Sequence, residues 1–208
     1  MLKLHGAPLS NYYNMAKTAL LEKGVEFEEV LTPPSQDGDY LARSSMGKIP
    51  CLETDHGFLA ETGAILDYLE EIETETPLLP ADPYQRAKVR ELARSLELYV
   101  ELVARQGYNA LRGNEVPGHT IEAIKEGLPK GVSAVKRLAK FSPWIAGDQF
   151  TYADIVGYFT FILAKLSAKA NAELDLFAEF PGASEWYAKV GERDSVKKAR
   201  ADQKAASG

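Results

Sequence analysis

Residues 1–34 read MLKLHGAPLSNYYNMAKTALLEKGVEFEEVLTPP, and their hydrophobic pattern changes period twice. Apolar and polar residues alternate over 2–5, which is typical of a half-buried strand. From Asn11 the apolar residues recur at helical spacing until Gly24, a residue type that commonly ends a helix. Alternation resumes at Val25 and stops at two prolines. The stretch therefore predicts the order β-α-β.

The residues that follow complete this first module. The segment 35–46 is polar and predicts at most a short helix. Two short apolar runs, 49–53 and 57–60, flank a turn containing Asp, His and Gly, and this pattern predicts a hairpin. A helix is expected from about Thr62, because apolar residues recur there at helical spacing. Residues 1–75 are thus predicted to form an α/β domain with the order β-α-β-α-β-β-α.

The second part of the chain has a different character. Three prolines fall within residues 74–83, and we place an interdomain linker there. No strand signal follows the linker, so residues 84–208 are predicted to form an all-helical domain. Its predicted helices cover 84–112, 121–139, 152–169, 182–190 and 195–200. Residues 201–208 lack the apolar side chains needed for docking and are expected to fray.

Composition excludes several classes of function. The chain has 208 residues, a net charge of -6 and scattered basic residues, which argues against a nucleic-acid partner. No apolar run approaches the roughly 20 residues that cross a bilayer, so no membrane partner is expected. The three histidines lie far apart, and we expect no metal site. Cys51 has no partner for a disulfide and is expected to be an inert core thiol. The first residues carry no targeting pattern, which predicts a cytoplasmic protein.

Four short motifs stand at the entrances of predicted elements: Ser10-Asn11-Tyr12-Tyr13, Gly47-Lys48-Ile49-Pro50, Glu61-Thr62 and Thr151-Tyr152-Ala153-Asp154. In this order and at these intervals, they resemble the cytosolic glutathione S-transferase superfamily over almost the whole chain. The nearest pattern is that of its serine- or cysteine-type and related bacterial-like classes. The resemblance implies a thioredoxin-like first domain that binds glutathione and an all-α second domain.

Ser10 is the candidate catalytic residue. The entrance of a helix presents unpaired N–H groups and a partial positive charge, which favour a thiolate over a thiol. The resemblance implies that the Ser10 hydroxyl donates to the glutathione sulfur and lowers its thiol pKa below roughly 8.5. Serine is also a preferred helix cap, so a purely structural role is the alternative. Tyr12 and Tyr13 are rivals, because a tyrosine hydroxyl can donate the same hydrogen bond.

The other two motifs of the first domain suit the rest of glutathione. The resemblance favours a cis bond before Pro50, which would turn the backbone of Ile49 outward to pair with the cysteinyl part. An ordinary trans proline at a strand start is the alternative. Lys48 is a candidate partner for a carboxylate, although a solvated surface lysine is the alternative. Glu61 and Thr62 open a helix whose free N–H groups suit the γ-glutamyl carboxylate, and Glu61 is placed to accept from its ammonium group. A plain helix start is the alternative for both.

Candidates in the second domain are of two kinds. Thr151 and Asp154 form a capping box and are interpreted as structural. Polar and aromatic residues recur along the long helix 84–112 and are weak candidates for the electrophile site between the domains: Tyr99, Arg105, Tyr108 and Arg112. Core packing or a dimer face explains these four equally well.

The predicted function is conjugation of the glutathione thiolate to a hydrophobic electrophile, with glutathione as a substrate. Isomerase, dehalogenase or peroxidase chemistry would use the same thiolate on another electrophile. A non-catalytic interaction protein of the same fold is the third possibility, because fold alone does not settle function. The resemblance also implies a homodimer.

Overall fold

A computed structural model describes residues 1–207, and the chain divides into two compact units. Unit 1 contains residues 1–78 and 192–207, and unit 2 contains Leu79–Gly191. The border between them falls inside the expected linker. Residues 192–207, however, pack with the first unit, whereas the sequence pattern assigned them to the second domain.

Unit 1 begins with a four-stranded sheet and three helices: β1 (Leu2–Gly6), α1 (Asn11–Glu22), β2 (Phe27–Leu31), α2 (Gly38–Leu41), β3 (Cys51–Thr54), β4 (Gly57–Ala60) and α3 (Thr62–Ile72). The strand order is β2-β1-β3-β4, with β1 parallel to β2 and β3 antiparallel to both of its neighbours. Leu4 and Leu52 of the sheet are fully buried, as are Leu20 of α1 and Ile65 of α3. The predicted order of elements is confirmed.

Unit 2 is helical, as predicted, and contains α4 (Pro83–Leu96), α5 (Leu102–Arg105), α6 (Gly118–Lys136), α7 (Tyr152–Ala172), α8 (Leu176–Glu179) and α9 (Ala183–Gly191). Its core includes fully buried aromatic side chains of α7 and α9, among them Phe161 and Trp186. Among the helices of residues 1–207, none is both long and apolar enough to span a membrane.

The prediction of one continuous helix over 84–112 is wrong. A π-helical segment, Glu97–Glu101, separates α4 from α5, and a 3₁₀ segment, Tyr108–Arg112, follows. α6 crosses the π-helical segment so closely that a Cβ at Gly131 would lie 1.9 Å from the carbonyl oxygen of Tyr99. A π-helical segment adds one residue to a turn without changing the apolar pattern visibly, so periodicity does not reveal it.

The last helix, α10 (Asp194–Ala205), returns to unit 1 and lies along α1. The expectation that 201–208 fray is wrong for the described part of that range. Lys17, only 1% exposed, donates to Asp202 at 2.6 Å. Gln203 is also buried. Polar contacts rather than apolar side chains hold this end of α10, which is why hydrophobic patterning missed it.

Candidate functional site

Three of the four motifs lie at one end of the unit 1 sheet. The strands pair so that the end of β1, the start of β3 and the end of β4 stand side by side, at His5, Cys51 and Ala60. Ser10 follows β1, Pro50 precedes β3 and Glu61 follows β4. The sheet therefore brings together three segments that are separated by up to about fifty residues in the chain.

Ser10 caps α1 and still has a hydroxyl proton to donate. Its backbone is extended, and its Oγ accepts from the Tyr13 N–H at 3.3 Å. No other hydrogen bond of this Oγ is found within residues 1–207. A cap uses a lone pair of the oxygen, whereas activation of a thiol uses the O–H proton. The two interpretations of Ser10 are therefore compatible.

The hydroxyl of Tyr13 is engaged elsewhere. It donates to Glu29 Oε2 at 2.6 Å, and the side chain is 1% exposed. Burial, together with the neighbouring Glu29 carboxylate, raises the pKa of Tyr13 far above its usual range. A tyrosine held in this way has no hydroxyl proton left for a ligand. Tyr12 is half-buried and lies two residues after Ser10, so it remains the more serious rival.

The loop before α1 is held by side chains as well as by backbone. The fully buried Asn14 donates from Nδ2 to the Pro8 carbonyl at 2.7 Å, and the Ser10 N–H donates to the Ala7 carbonyl at 3.0 Å. Thr62 Oγ1, at the start of α3, donates to the Tyr12 carbonyl at 3.4 Å. This last contact joins two of the predicted motifs directly.

The segment before β3 presents an unpaired piece of backbone. The bond between Ile49 and Pro50 is cis, as expected from the resemblance. The preceding carbonyl of Lys48 accepts from Tyr40 at 3.2 Å and from Ser44 at 2.9 Å. Neither the N–H nor the C=O of Ile49 pairs with another group of residues 1–207. An extended peptide can bind there by main-chain pairing. The side chain of Lys48 is exposed.

The entrance of α3 combines a free helix terminus with an exposed carboxylate. Glu61 has φ 67° and ψ 116°, a conformation that costs a non-glycine residue on the order of 1–3 kcal/mol. Thr62 begins the helix and is buried. The first backbone bond of the helix runs from the Ile65 N–H to the Glu61 carbonyl, which leaves the preceding N–H groups open to an anion.

In unit 2, the structure brings together two of the four candidates for the electrophile site. Glu101 is fully buried and accepts from the Arg105 guanidinium and from the Tyr108 hydroxyl, the latter at 2.7 Å. Burial raises the pKa of the Glu101 carboxyl despite both partners. Sequence reasoning missed Glu101, although its spacing of four residues from Arg105 was a signal. Tyr99 and Arg112 are exposed.

Asp154 does more than cap α7. Its Oδ2 accepts from the backbone N–H and the hydroxyl of Thr151, at 2.8 and 3.2 Å. Its Oδ1 accepts from the Ile145 N–H at 2.8 Å and from the Trp186 indole at 2.7 Å. Burial raises the pKa of Asp154 in spite of these bonds. The residue therefore links α7, the loop before it and α9.

Cys51 is a buried thiol, as predicted. Its side chain is fully buried and donates to the Arg43 carbonyl at 3.3 Å. Burial raises the pKa of Cys51 to about 11, so the thiol is protonated at neutral pH.

Residues 4–77 match the family model "Glutathione S-transferase, N-terminal domain", and residues 118–189 match "Glutathione S-transferase, C-terminal domain". A glutathione S-transferase of Pseudomonas putida is 45% identical over 206 residues, which cover 99% of this chain and 94% of that protein.

Solved structures agree in fold. A glutathione S-transferase from Rhodospirillum rubrum F11 is 26% identical, with a TM-score of 0.75 over 96% of this chain and 91% of the other. Poplar glutathione transferase F1 is 19% identical, with a TM-score of 0.79 over 98% of both chains. The second likeness concerns the fold alone.

Proposed function

The chain belongs to the glutathione S-transferase family and is an enzyme of glutathione conjugation, and on that premise we propose that Ser10 is the hydroxyl that activates the glutathione thiol. One observation carries this proposal. The Ser10 Oγ lies at the entrance of α1 with its lone pair used by the cap and its proton unused within residues 1–207. The helix terminus adds a partial positive charge beside the same point.

The proposed chemistry is stabilisation of an anion. The thiol of bound glutathione releases its proton, and the Ser10 O–H donates to the resulting thiolate. The released proton passes to solvent water. The thiolate sulfur then donates an electron pair to the electrophilic carbon of the second substrate. As the C–S bond forms, a leaving group departs with the electron pair of its own bond or, at an activated double bond, the π electrons move to the neighbouring atom, which takes a proton from water. A hydrogen bond to a charged group is roughly twice as strong as one between neutral groups, so donation favours the thiolate over the thiol.

The proposed binding of glutathione uses both of the other motifs of unit 1. The cysteinyl backbone pairs with the open N–H and C=O of Ile49. The γ-glutamyl carboxylate lies at the N–H groups that begin α3 with Thr62, and Glu61 accepts from the ammonium group. Lys48, whose side chain is exposed, is the proposed partner of the remaining carboxylate. The carboxylate and the ammonium group at the γ-glutamyl end of glutathione thus bind to different groups of the protein.

We propose that the electrophile binds near Arg105 and Tyr108, on fewer observations than support the glutathione site. Arg105 and Tyr108 form a cluster with the buried carboxylate of Glu101, which fixes the orientation of both side chains. The Arg105 guanidinium lies 5.1 Å from the centre of the Tyr108 ring. Of the four candidates, these two are the better supported, whereas Tyr99 and Arg112 rest on the sequence pattern. A cytoplasmic location stays a prediction.

A crystal structure with glutathione bound tests the proposed function. We expect the Ser10 Oγ to be the hydroxyl nearest to the sulfur, within about 3.5 Å, and the Ile49 backbone to pair with the cysteinyl part. A Tyr12 hydroxyl nearer than Ser10 to the sulfur would transfer the proposed role to that residue.

Glu61→Gln should weaken glutathione binding more than it weakens folding. The substitution removes the charge partner of the ligand's ammonium group, a bond of about 1.5–3 kcal/mol, and leaves an exposed polar side chain at the start of α3. We expect the dissociation constant to rise roughly 10- to 100-fold by calorimetry, with little change in melting temperature. Equal losses in affinity and thermal stability would show that Glu61 only shapes the helix entrance.

We also propose that the protein is a homodimer, as the family resemblance implies. Light scattering at micromolar concentration should give about twice the mass of 22.9 kDa. A single monomeric species under these conditions would contradict the proposal.

A further inference from the structure

α10 runs antiparallel to α1 within unit 1. At one end, the Ser195 hydroxyl donates to Glu22, in the last turn of α1. Further along, Lys17 of α1 donates to Asp202 of α10 at 2.6 Å. Because the two helices run in opposite directions, the last turn of α10 reaches the first turn of α1. Ser10 lies immediately before that turn.

Gln203 makes the contact at this end. Its side chain is 9% exposed, and its Nε2 donates to Asn11 Oδ1 at 3.1 Å and to the Leu9 carbonyl at 3.5 Å. These two residues are the immediate neighbours of Ser10 in the chain. Arg200 donates to Oε1 of the same amide, which sets the orientation of the amide group.

The Gln203 contact belongs to a set of contacts that hold the loop before α1 and the first turn of α1. Asn14 of α1 binds the Pro8 carbonyl, and Thr62 of α3 binds the Tyr12 carbonyl. Gln203 supplies the contacts from α10. A hydroxyl that must point at a sulfur depends on such support, since misplacement by about 1 Å can reduce a rate by on the order of 100-fold.

We propose that Gln203 is a positioning residue for catalysis. Its amide holds the backbone of Leu9 and the side chain of Asn11, and thereby aims the Ser10 hydroxyl at the glutathione sulfur. Gln203 acts through these neighbours rather than on the sulfur itself. The inference rests on the proposed role of Ser10. It makes the last helix, nearly two hundred residues away in the chain, a part of the catalytic apparatus.

Gln203→Met tests the proposal, because methionine has a similar volume and no hydrogen-bond donor. We expect the pKa of the bound glutathione thiol to rise by about half a unit to one unit, a factor of roughly 3 to 10 in its ionisation constant. The kcat at neutral pH should fall by a similar factor, while KM for glutathione changes little.

Ser195→Ala is the matched control. It removes a hydrogen bond between the same two helices at the opposite end, far along α1 from Ser10. We expect this variant to lower the melting temperature, because a bond between α1 and α10 is lost, and to leave the thiol pKa at the wild-type value. In a double-mutant cycle, Asn11→Ala and Gln203→Met should shift the pKa by less together than the sum of their separate shifts.

Titration of Ser10→Ala in parallel distinguishes failure of the Gln203 proposal from failure of the proposed role of Ser10. If Ser10→Ala raises the thiol pKa and Gln203→Met melts earlier but leaves the pKa unchanged, Gln203 only docks α10 and the inference is overturned. If Ser10→Ala itself leaves the pKa unchanged, the proposed function of Ser10 fails, and the inference fails with it.

Discussion

Asp154→Ala should destabilise the protein by about 3 to 5 kcal/mol, a larger loss than an exposed helix cap would give. The carboxylate accepts four hydrogen bonds, and its removal leaves the N–H groups of Ile145 and Thr151 and the Trp186 indole without their acceptor. Each buried donor left unpaired costs about 1–3 kcal/mol, and a lost cap alone typically costs about 1 kcal/mol. Urea denaturation measures the change in the free energy of unfolding.

Asp154→Asn separates the cap from the rest of this network. The amide oxygen of asparagine can still accept from Ile145 and Trp186, whereas its NH₂ group cannot accept from the Thr151 N–H. We expect this variant to lose about 1 kcal/mol. Equal free energies of unfolding for the alanine and asparagine variants would show that the bonds to Ile145 and Trp186 contribute nothing measurable to stability. Glutathione affinity should be nearly unchanged in both folded variants.

Ser10→Ala should reduce kcat at neutral pH by roughly 10- to 100-fold. A hydrogen bond to a charged group is worth about 1.5–3 kcal/mol, and its loss penalises the thiolate far more than the thiol. At about 1.36 kcal/mol per pKa unit, the thiol pKa should rise by roughly one to two units. The reactive fraction at neutral pH then falls by a similar factor. Binding should change little, since the contacts proposed for Ile49, Glu61 and Thr62 remain.

The activity defect of Ser10→Ala should change with pH in a definite direction. A raised thiol pKa means that the variant is most deficient at low pH and recovers as the pH passes the new pKa. The activity ratio of wild type to variant should therefore shrink steadily as the pH rises. Tyr13→Phe is the matched control. The hydroxyl that it removes belongs to the same helix and already donates to Glu29. A ratio that is constant with pH would contradict activation through ionisation.

Much of unit 1 was predictable because local patterns and tertiary contacts agree there. Apolar residues alternate with polar ones in β1 and recur at helical spacing from Asn11, so the sequence predicts both β1 and α1. The turn before Gly57 separates β3 from β4. The motif positions followed from the same boundaries. Ser10, Pro50 and Glu61 each stand at the end of an element, and pairing of the strands then places them at one edge of the sheet.

The features that sequence reasoning missed depend on contacts between residues far apart in the chain. The last turn of α10 is held by polar contacts of Asp202 and Gln203 with α1, so an apolar pattern does not reveal that this end docks. The π-helical segment is approached closely by Gly131 of another helix, a contact that the sequence pattern does not show. Burial of Glu101 and the contact of Gln203 with Asn11 are likewise set by packing. No local propensity encodes them.

The central claim is that Ser10 stabilises the glutathione thiolate, and ultraviolet titration of the thiolate in the glutathione complex tests it most directly. Wild type, Ser10→Ala, Tyr12→Phe and Tyr13→Phe should be titrated under identical conditions. Ser10→Ala should raise the thiol pKa by about one to two units, and neither tyrosine variant should change it. An unchanged pKa in Ser10→Ala, together with a raised pKa in Tyr12→Phe, would contradict the account and leave Ser10 as a helix cap alone.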